Sequence, residues 1–230
     1  MRFHALIPAA GNGLRFGASM PKQYLALHGK PVLQHAIERL QRYFPLRRTY
    51  VVLGRDDRWF EQTVTAHDDV VLLRCGGSTR AESVRNALRH VDDIVAPDDW
   101  IVVHDAVRPC LDRPAALRLQ DQVADDAVGG LLAIPVSDTL KRLTEDSRVH
   151  RTEPRTALWR AQTPQMFRYG VLREAFAGEG FDRWTDEAHA VEALGLSPRC
   201  VQGSASNVKI TFPDDLALAA AILSAETPRD

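Results

Sequence analysis

The chain has almost no net charge. Its 230 residues include 29 basic and 30 acidic side chains, a formal balance of −1 at neutral pH. Without a field of one sign there is no global attraction to nucleic acid or to an anionic membrane, so partners are expected to be small and locally recognised. Cysteine is scarce. Cys75, Cys110 and Cys200 lie far apart with no Cys-x-x-Cys spacing, which argues against a disulfide framework or a zinc site and fits a reducing compartment. No apolar run approaches the roughly 20 residues of a membrane span, and Met1 to His4 lead into a strand pattern without the apolar stretch of a signal peptide. A soluble, cytoplasmic protein is expected. Also missing are the Gly-Lys-Ser/Thr that closes a Walker loop, the His-Arg-Asp and Asp-Phe-Gly triplets of a kinase, and a lysine four residues after Tyr24, Tyr43, Tyr50 or Tyr169, which a short-chain oxidoreductase requires.

What the chain does hold is a glycine loop behind an apolar strand. Pro8-Ala9-Ala10-Gly11-Asn12-Gly13-Leu14-Arg15 is followed by Pro21-Lys22-Gln23. Gly11 and Gly13 leave main-chain N–H groups open to phosphate oxygens, and Arg15 and Lys22 can neutralise charge that develops on an attacked phosphorus. A dinucleotide fingerprint would place a third glycine where Phe16 stands, and Pro21 interrupts the helix that would receive a pyrophosphate. The pattern fits a nucleotidyltransferase loop. A plain strand-to-helix turn with solvated cations is the alternative.

Short apolar runs at Phe3 to Pro8, Thr49 to Leu53, Val70 to Leu73, Trp100 to His104 and Gly130 to Pro135 read as strands buried on both faces. Helical patterns lie between them, one opened by Pro31 and others near 57 to 67, 80 to 91 and 114 to 126. This rhythm predicts one α/β domain over residues 1–230, a mostly parallel sheet with helices on both faces and ligands at the strand carboxyl ends. Residues 136–155 break the rhythm with polar alternation and predict a projecting two-stranded arm. An isolated hairpin is barely stable, so a second copy of the chain is its expected support; a flexible surface loop is the alternative.

A second constellation follows the strand that ends at His104. Asp105 and Arg108 stand at another strand carboxyl end, where Asp105 can position a divalent cation or substrate hydroxyls and Arg108 a phosphate. They can equally pair with each other across the turn. His104 is expected to orient backbone.

Taken in order, the glycine loop, Pro21-Lys22-Gln23-Tyr24, Gly76-Gly77 with Arg80 and Ser83, Val103-His104-Asp105-Ala106-Val107-Arg108-Pro109, Asp138 to Arg142, Thr163-Pro164-Gln165, Thr185-Asp186-Glu187-Ala188 and Asn207-Val208-Lys209 resemble the 2-C-methyl-D-erythritol 4-phosphate cytidylyltransferases. The resemblance runs from residue 5 to 220. It implies a three-layer, Rossmann-like nucleotide-diphospho-sugar transferase fold with CTP as co-substrate and Mg2+ or another divalent cation, held mainly by the CTP phosphates, with Asp105 as a candidate ligand. It also implies catalytic roles for Arg15, Lys22, Arg155 and Lys209. CTP contacts are implied for Ala9, Ala10, Gly11, Gly13, Gly77 and Ser83, and polyol-phosphate contacts for Asp105, Ala106, Arg108, Thr139 and Thr185. Thr139 and Arg155 would belong to an arm that reaches into the second subunit of a homodimer. Ser78 departs from the pattern, standing where relatives often carry an acidic residue near the cytosine; Val107 replaces a commoner alanine.

The implied nucleophile is a phosphate monoester with a second pKa near 6, which needs no general base. That agrees with the lack of a Ser-His-Asp or Cys-His set and moves the work to cations. A ribitol 5-phosphate cytidylyltransferase is the neighbouring reading. An NADP-dependent oxidoreductase and a non-catalytic nucleotide-binding regulator are the readings from other classes.

Overall fold

The structure is a computed structural model that describes residues 2–11, 20–178 and 180–226. In chain order it has β1 (Phe3–Pro8), β2 (Ala26–Leu27), β3 (Lys30–Pro31), α1 (Val32–Tyr43), β4 (Leu46–Val52), α2 (Phe60–Thr63), β5 (Val70–Leu73), α3 (Arg80–His90) and β6 (Trp100–Val103). There follow α4 (Arg113–Val123), β7 (Gly129–Pro135), β8 (Leu140–Leu143), β9 (Val149–Glu153), β10 (Trp159–Arg168), α5 (Tyr169–Ala175), α6 (Glu187–Glu192), β11 (Arg199–Gln202) and α7 (Pro213–Glu226).

Seven of these strands form one sheet in the order β11-β7-β10-β6-β1-β4-β5. β1 pairs in parallel with β4 and β6, β4 with β5, and β11 with β7, whereas β10 runs antiparallel to both β6 and β7. Alternation along the strands sends Ala5, Ile7, Val51 and Val102 toward α1 and α4, which supply Leu33, Ile37, Leu40, Ala115 and Leu119. Leu6, Val52, Ile101 and Val103 face the other way, toward Val84 and Leu88 of α3, Leu172 of α5 and Val191 of α6. All four residues of β6 are buried, as a strand covered on both faces requires, and each large apolar side chain so placed contributes roughly 1.5–3 kcal/mol. The result is a three-layer α/β arrangement with Ala9 to Gly11, the start of the glycine loop, and the Asp105 turn both at strand carboxyl ends. Among the described residues, no helix is long and apolar enough to cross a membrane.

Two expectations are corrected. The helix read over 57 to 67 is a single turn, Phe60–Thr63, because Asp57 caps its start through the N–H groups of Trp59 and Phe60 and Val64 returns to extended backbone. The antiparallel β10 was not expected at all. Pro164 and five polar or charged residues speak against a central strand, yet the register against β7 shifts between Ala161 and Gln165, and the proline sits in that bulge. The arm is present: β8 and β9 pair as an antiparallel hairpin in a two-stranded sheet of their own, inserted between β7 and β10.

Candidate active site

A cavity of about 850 Å³ opens over the carboxyl ends of β1 and β6, a size suited to a nucleotide. Pro8 to Gly11, Lys22 and Gln23 line one side, Gly77 to Arg80 and Ser83 another, and Asp105 to Val107 with Lys209 and Thr211 the remainder. Its loops are held by the chain's own donors. The buried Gln23 amide donates to the carbonyls of Ala9 and Gly11, both at 2.9 Å, which shapes the glycine loop from below. Gly76 is required by packing, since a Cβ there would overlap the side chain of Ala10 and approach the carbonyl oxygen of Leu53 to 2.8 Å. Among the described residues, a Cβ at Gly11 would meet nothing within 4 Å. Ser83 Oγ accepts from the Gly77 N–H at 3.1 Å and donates to the Thr79 carbonyl, while Thr79 caps α3. Ser78 directs both its N–H (2.6 Å) and its hydroxyl (2.7 Å) to the Glu82 carboxylate, which brings an acidic group to the loop even though position 78 is not acidic.

A second, smaller cavity of about 120 Å³ adjoins the first, lined by Arg80, Asp105, Arg108, Gln162, Thr163, Thr185 and Lys209 among others. Arg80, Asp105 and Lys209 line both cavities and so form the wall between them. Asp105 sits there among three cations, with Arg80 Nε at 3.0 Å, Lys209 Nζ at 2.8 Å and Arg108 Nε at 3.4 Å. Burial alone would raise its carboxyl pKa; Arg80, Lys209 and Arg108 overcome that and hold it well below the usual carboxylate range. Arg108 also donates to the Asn207 carbonyl at 2.6 Å, and the Asn207 amide donates to the Thr163 carbonyl at 2.7 Å, so the segment carrying Lys209 is tied to the Asp105 turn and to β10. The cross-turn pairing of Asp105 with Arg108 does occur, within a site that is also cavity-lining.

His104, fully buried, fixes this turn from behind. Its Nε2 lies 3.0 Å from the Arg108 carbonyl, which can only accept, so Nε2 carries the proton and Nδ1 accepts from the Thr163 hydroxyl at 3.0 Å. Thr163 Oγ1 in turn accepts from the Asp105 N–H at 3.0 Å. Burial lowers the His104 pKa to about 4, so the ring is neutral and acts as a spacer.

Of the residues expected at the site, Ala9, Ala10, Gly11, Lys22, Gly77, Ser83, Asp105, Ala106 and Lys209 line the nucleotide-sized cavity, and Arg108 and Thr185 the smaller one. Lys22 Nζ donates to the Ile210 carbonyl at 2.8 Å, beside Lys209 in sequence. Gly13 and Arg15 lie outside the described residues. Thr139 and Arg155 are exposed on the arm, and neither is among the described residues that line either cavity. A metal role for Asp105 fits poorly, because its two oxygens already face three cations and a divalent ion would have to displace one. Among the described residues, no group of three or more His, Cys, Asp or Glu side chains can hold a metal ion. Sequence reasoning assigned no role to Arg80, Glu187, Gln23 or Thr163, whose functions depend on distant partners.

A nucleotide-sized cavity at strand carboxyl ends, joined through a cationic wall to a small polar pocket, defines an α/β nucleotidyltransferase. A family model for 2-C-methyl-D-erythritol 4-phosphate cytidylyltransferase matches residues 3–225. The enzyme of that name from Laribacter hongkongensis is 53% identical over 220 residues, covering 95% of this chain and 95% of its own length. That from Dechloromonas aromatica is 51% identical over 226 residues, covering 97% and 98%. Among solved structures, a 4-diphosphocytidyl-2C-methyl-D-erythritol synthase superposes with a TM-score of 0.86 at 40% identity, over 96% of this chain and 98% of that one. The Thermus thermophilus cytidylyltransferase superposes with a TM-score of 0.78 at 30% identity, over 97% and 100%. The chain belongs to the 2-C-methyl-D-erythritol 4-phosphate cytidylyltransferase family, and it is a nucleotidyltransferase of the non-mevalonate isoprenoid route.

Proposed function

We propose that the two adjoining cavities take CTP and 2-C-methyl-D-erythritol 4-phosphate, and that the chain's cations carry the reaction without a general base. An oxygen of the monoester attacks the α-phosphorus of CTP and a new P–O bond forms. The bond from the α-phosphorus to the bridging oxygen breaks, and its electron pair leaves with pyrophosphate. Two anions must meet at about 3 to 3.5 Å, so the barrier is set by how well fixed positive charge offsets their repulsion. Lys22 and Arg15 serve the α-phosphorus, while Lys209 and Arg108 hold the attacking phosphate. The observation that supports this reading is the shared wall, since Lys209, Arg80 and Asp105 line both cavities.

A divalent cation, Mg2+ first, accompanies the triphosphate and neutralises part of its charge. In this reading it is carried by the nucleotide, and Asp105 orients substrate hydroxyls and the surrounding cations instead of ligating metal. The chain acts as a cytoplasmic homodimer in which the arm of one copy brings Thr139 and Arg155 to the small pocket of the other. Support comes from the exposure of Leu143 (54%) and Val149 (61%) on a hairpin with its own two-stranded sheet, a surface that a second copy would cover. The test is a panel of the four nucleoside triphosphates against methylerythritol phosphate and ribitol 5-phosphate, read by pyrophosphate release. Turnover is expected with CTP and the methylerythritol phosphate; preference for ribitol 5-phosphate would overturn the substrate assignment.

A further inference from the structure

Glu187 is the least accessible carboxylate at the site, 0% exposed in the first turn of α6. Its two oxygens accept from one guanidinium, Arg80 Nη1 at 2.7 Å and Arg80 Nη2 at 3.0 Å. The remaining edge of that guanidinium, Nε, donates to Asp105 at 3.0 Å. The first turn of α6 is itself fixed to β10: Gln165 accepts from the Ala188 N–H at 2.8 Å and donates to Asp186 at 3.0 Å. Full burial pushes the Glu187 carboxyl pKa up, opposed by the two Arg80 donors, whose forked approach is that made to an ionised carboxylate.

The charge count makes this arrangement informative. Arg80, Arg108 and Lys209 face Asp105, Glu187 and the cavity-lining Asp186, three positive charges against three negative, where the proposed anionic substrate binds. If the pocket's work were only to attract a phosphate, Glu187 would be a hindrance. Its burial has to be compensated, and the compensation fixes the plane of Arg80 between the two cavities.

We propose that Glu187 and Arg80 are positioning residues for the phosphate substrate: Glu187 orients the Arg80 guanidinium, which fixes Asp105 and, through it, Lys209 at the wall where the monoester is held. The inference rests on the two-substrate reading above. It separates placement from attraction. Glu187→Gln removes one negative charge and replaces one of the two acceptors facing Arg80 by an amide donor, which breaks the fork, so attraction alone predicts tighter phosphate binding, whereas placement predicts weaker binding. Arg80→Lys keeps the positive charge but loses the fork.

The experiment is steady-state pyrophosphate release with each substrate varied in turn, together with calorimetric binding of CTP. For Glu187→Gln and for Arg80→Lys, KM for the polyol phosphate is expected to rise by about tenfold or more, with KM for CTP moving less than about twofold. An unchanged or lowered polyol-phosphate KM overturns the proposal, and so does a parallel loss of CTP binding, which would mean that the pair serves both cavities or the fold and not the phosphate substrate in particular. If Glu187→Gln does not fold, the double variant Arg80→Gln, Glu187→Gln leaves no unpaired buried charge and is compared with Arg80→Gln alone. The two should share one raised polyol-phosphate KM, and a large further rise in the double variant overturns the proposed chain of contacts. A wild-type protein that releases no pyrophosphate removes the functional reading and this inference together, whereas wild-type turnover with unmoved variant KM values removes only the inference.

Discussion

At the cavity wall, Asp105 and Glu187 are 7% and 0% exposed and each faces arginine. On the arm, Arg142 and Arg151 share Glu153 and Arg148 pairs with Asp146, with the arginines 58%, 56% and 85% exposed. The two regions use similar residues to different effect. Buried charges interact with little screening and cannot lose a partner cheaply, so the wall is rigid in one arrangement. Exposed pairs are worth about 0–1 kcal/mol, so the arm's ion pairs do not explain its fold, and its exposed Leu143 and Val149 point to support from outside the chain. If the proposed dimer forms, the site is pre-organised in one chain and completed by another.

The largest expected effect falls on the nucleotide side. Lys22→Ala should lower turnover on the order of a hundredfold, roughly 3 kcal/mol of barrier, while CTP affinity by calorimetry changes far less, because the lost charge matters most in the transition state. Arg15→Ala should act in the same direction. Near-normal single-turnover rates for Lys22→Ala would mean that the wall alone supplies the catalytic charge.

The wall should also respond to pH in a way the arm does not. His104 has a folded pKa of about 4, below its ordinary 6.5, so between those values the unfolded chain holds a proton that the folded one lacks. Stability contributed by the neutral ring is present above about 6.5 and is lost as pH falls toward about 4, a total on the order of 3 kcal/mol. Asp105, shifted downward, keeps its contribution until pH falls below its ordinary 3.8, outside this window. In urea unfolding, wild type should weaken more steeply than His104→Gln across that window. His4 and His35, also lowered by burial, are common to both proteins and cancel in the difference. Parallel curves would show that His104 is not the buried neutral ring described.

What was legible in the chain was local. β1, β5, β6 and α3 could be read to within a residue or so, because apolar runs buried on two faces and a capped amphipathic helix advertise themselves within a few positions. The Asp105 to Arg108 turn was legible from its place directly behind an apolar strand, as was the start of the glycine loop at Ala9 to Gly11, the rest of which lies outside the described residues. β10 was not, since Pro164 sits in its bulge and Gln162, Thr163 and Gln165 line the small cavity, in place of a uniform strand pattern. The Arg80–Glu187 pair was not legible either: its members are 107 residues apart, and each alone reads as an ordinary charge in a helix's first turn.

The smallest effect, and the sharpest contrast between wall and arm, comes from mixing subunits. Lys209 ends the wall, 2.8 Å from Asp105, whereas Arg155 lies on the exposed arm. If the arm serves the neighbouring copy, Lys209→Ala and Arg155→Ala chains each turn over poorly alone at polyol phosphate concentrations near the wild-type KM but complement in a mixed dimer. One site then has both side chains intact and the other has neither. Random one-to-one reassociation makes about half the dimers mixed, so about a quarter of wild-type turnover should return, a value set by counting sites in a twofold assembly. Arg155→Ala alone should mainly raise KM for the polyol phosphate, since it removes a group that holds the attacking anion and leaves the nucleotide cavity untouched. No recovery on mixing, despite exchange confirmed by mass, would confine both residues to one chain's site and leave the exposed arm without the role assigned to it.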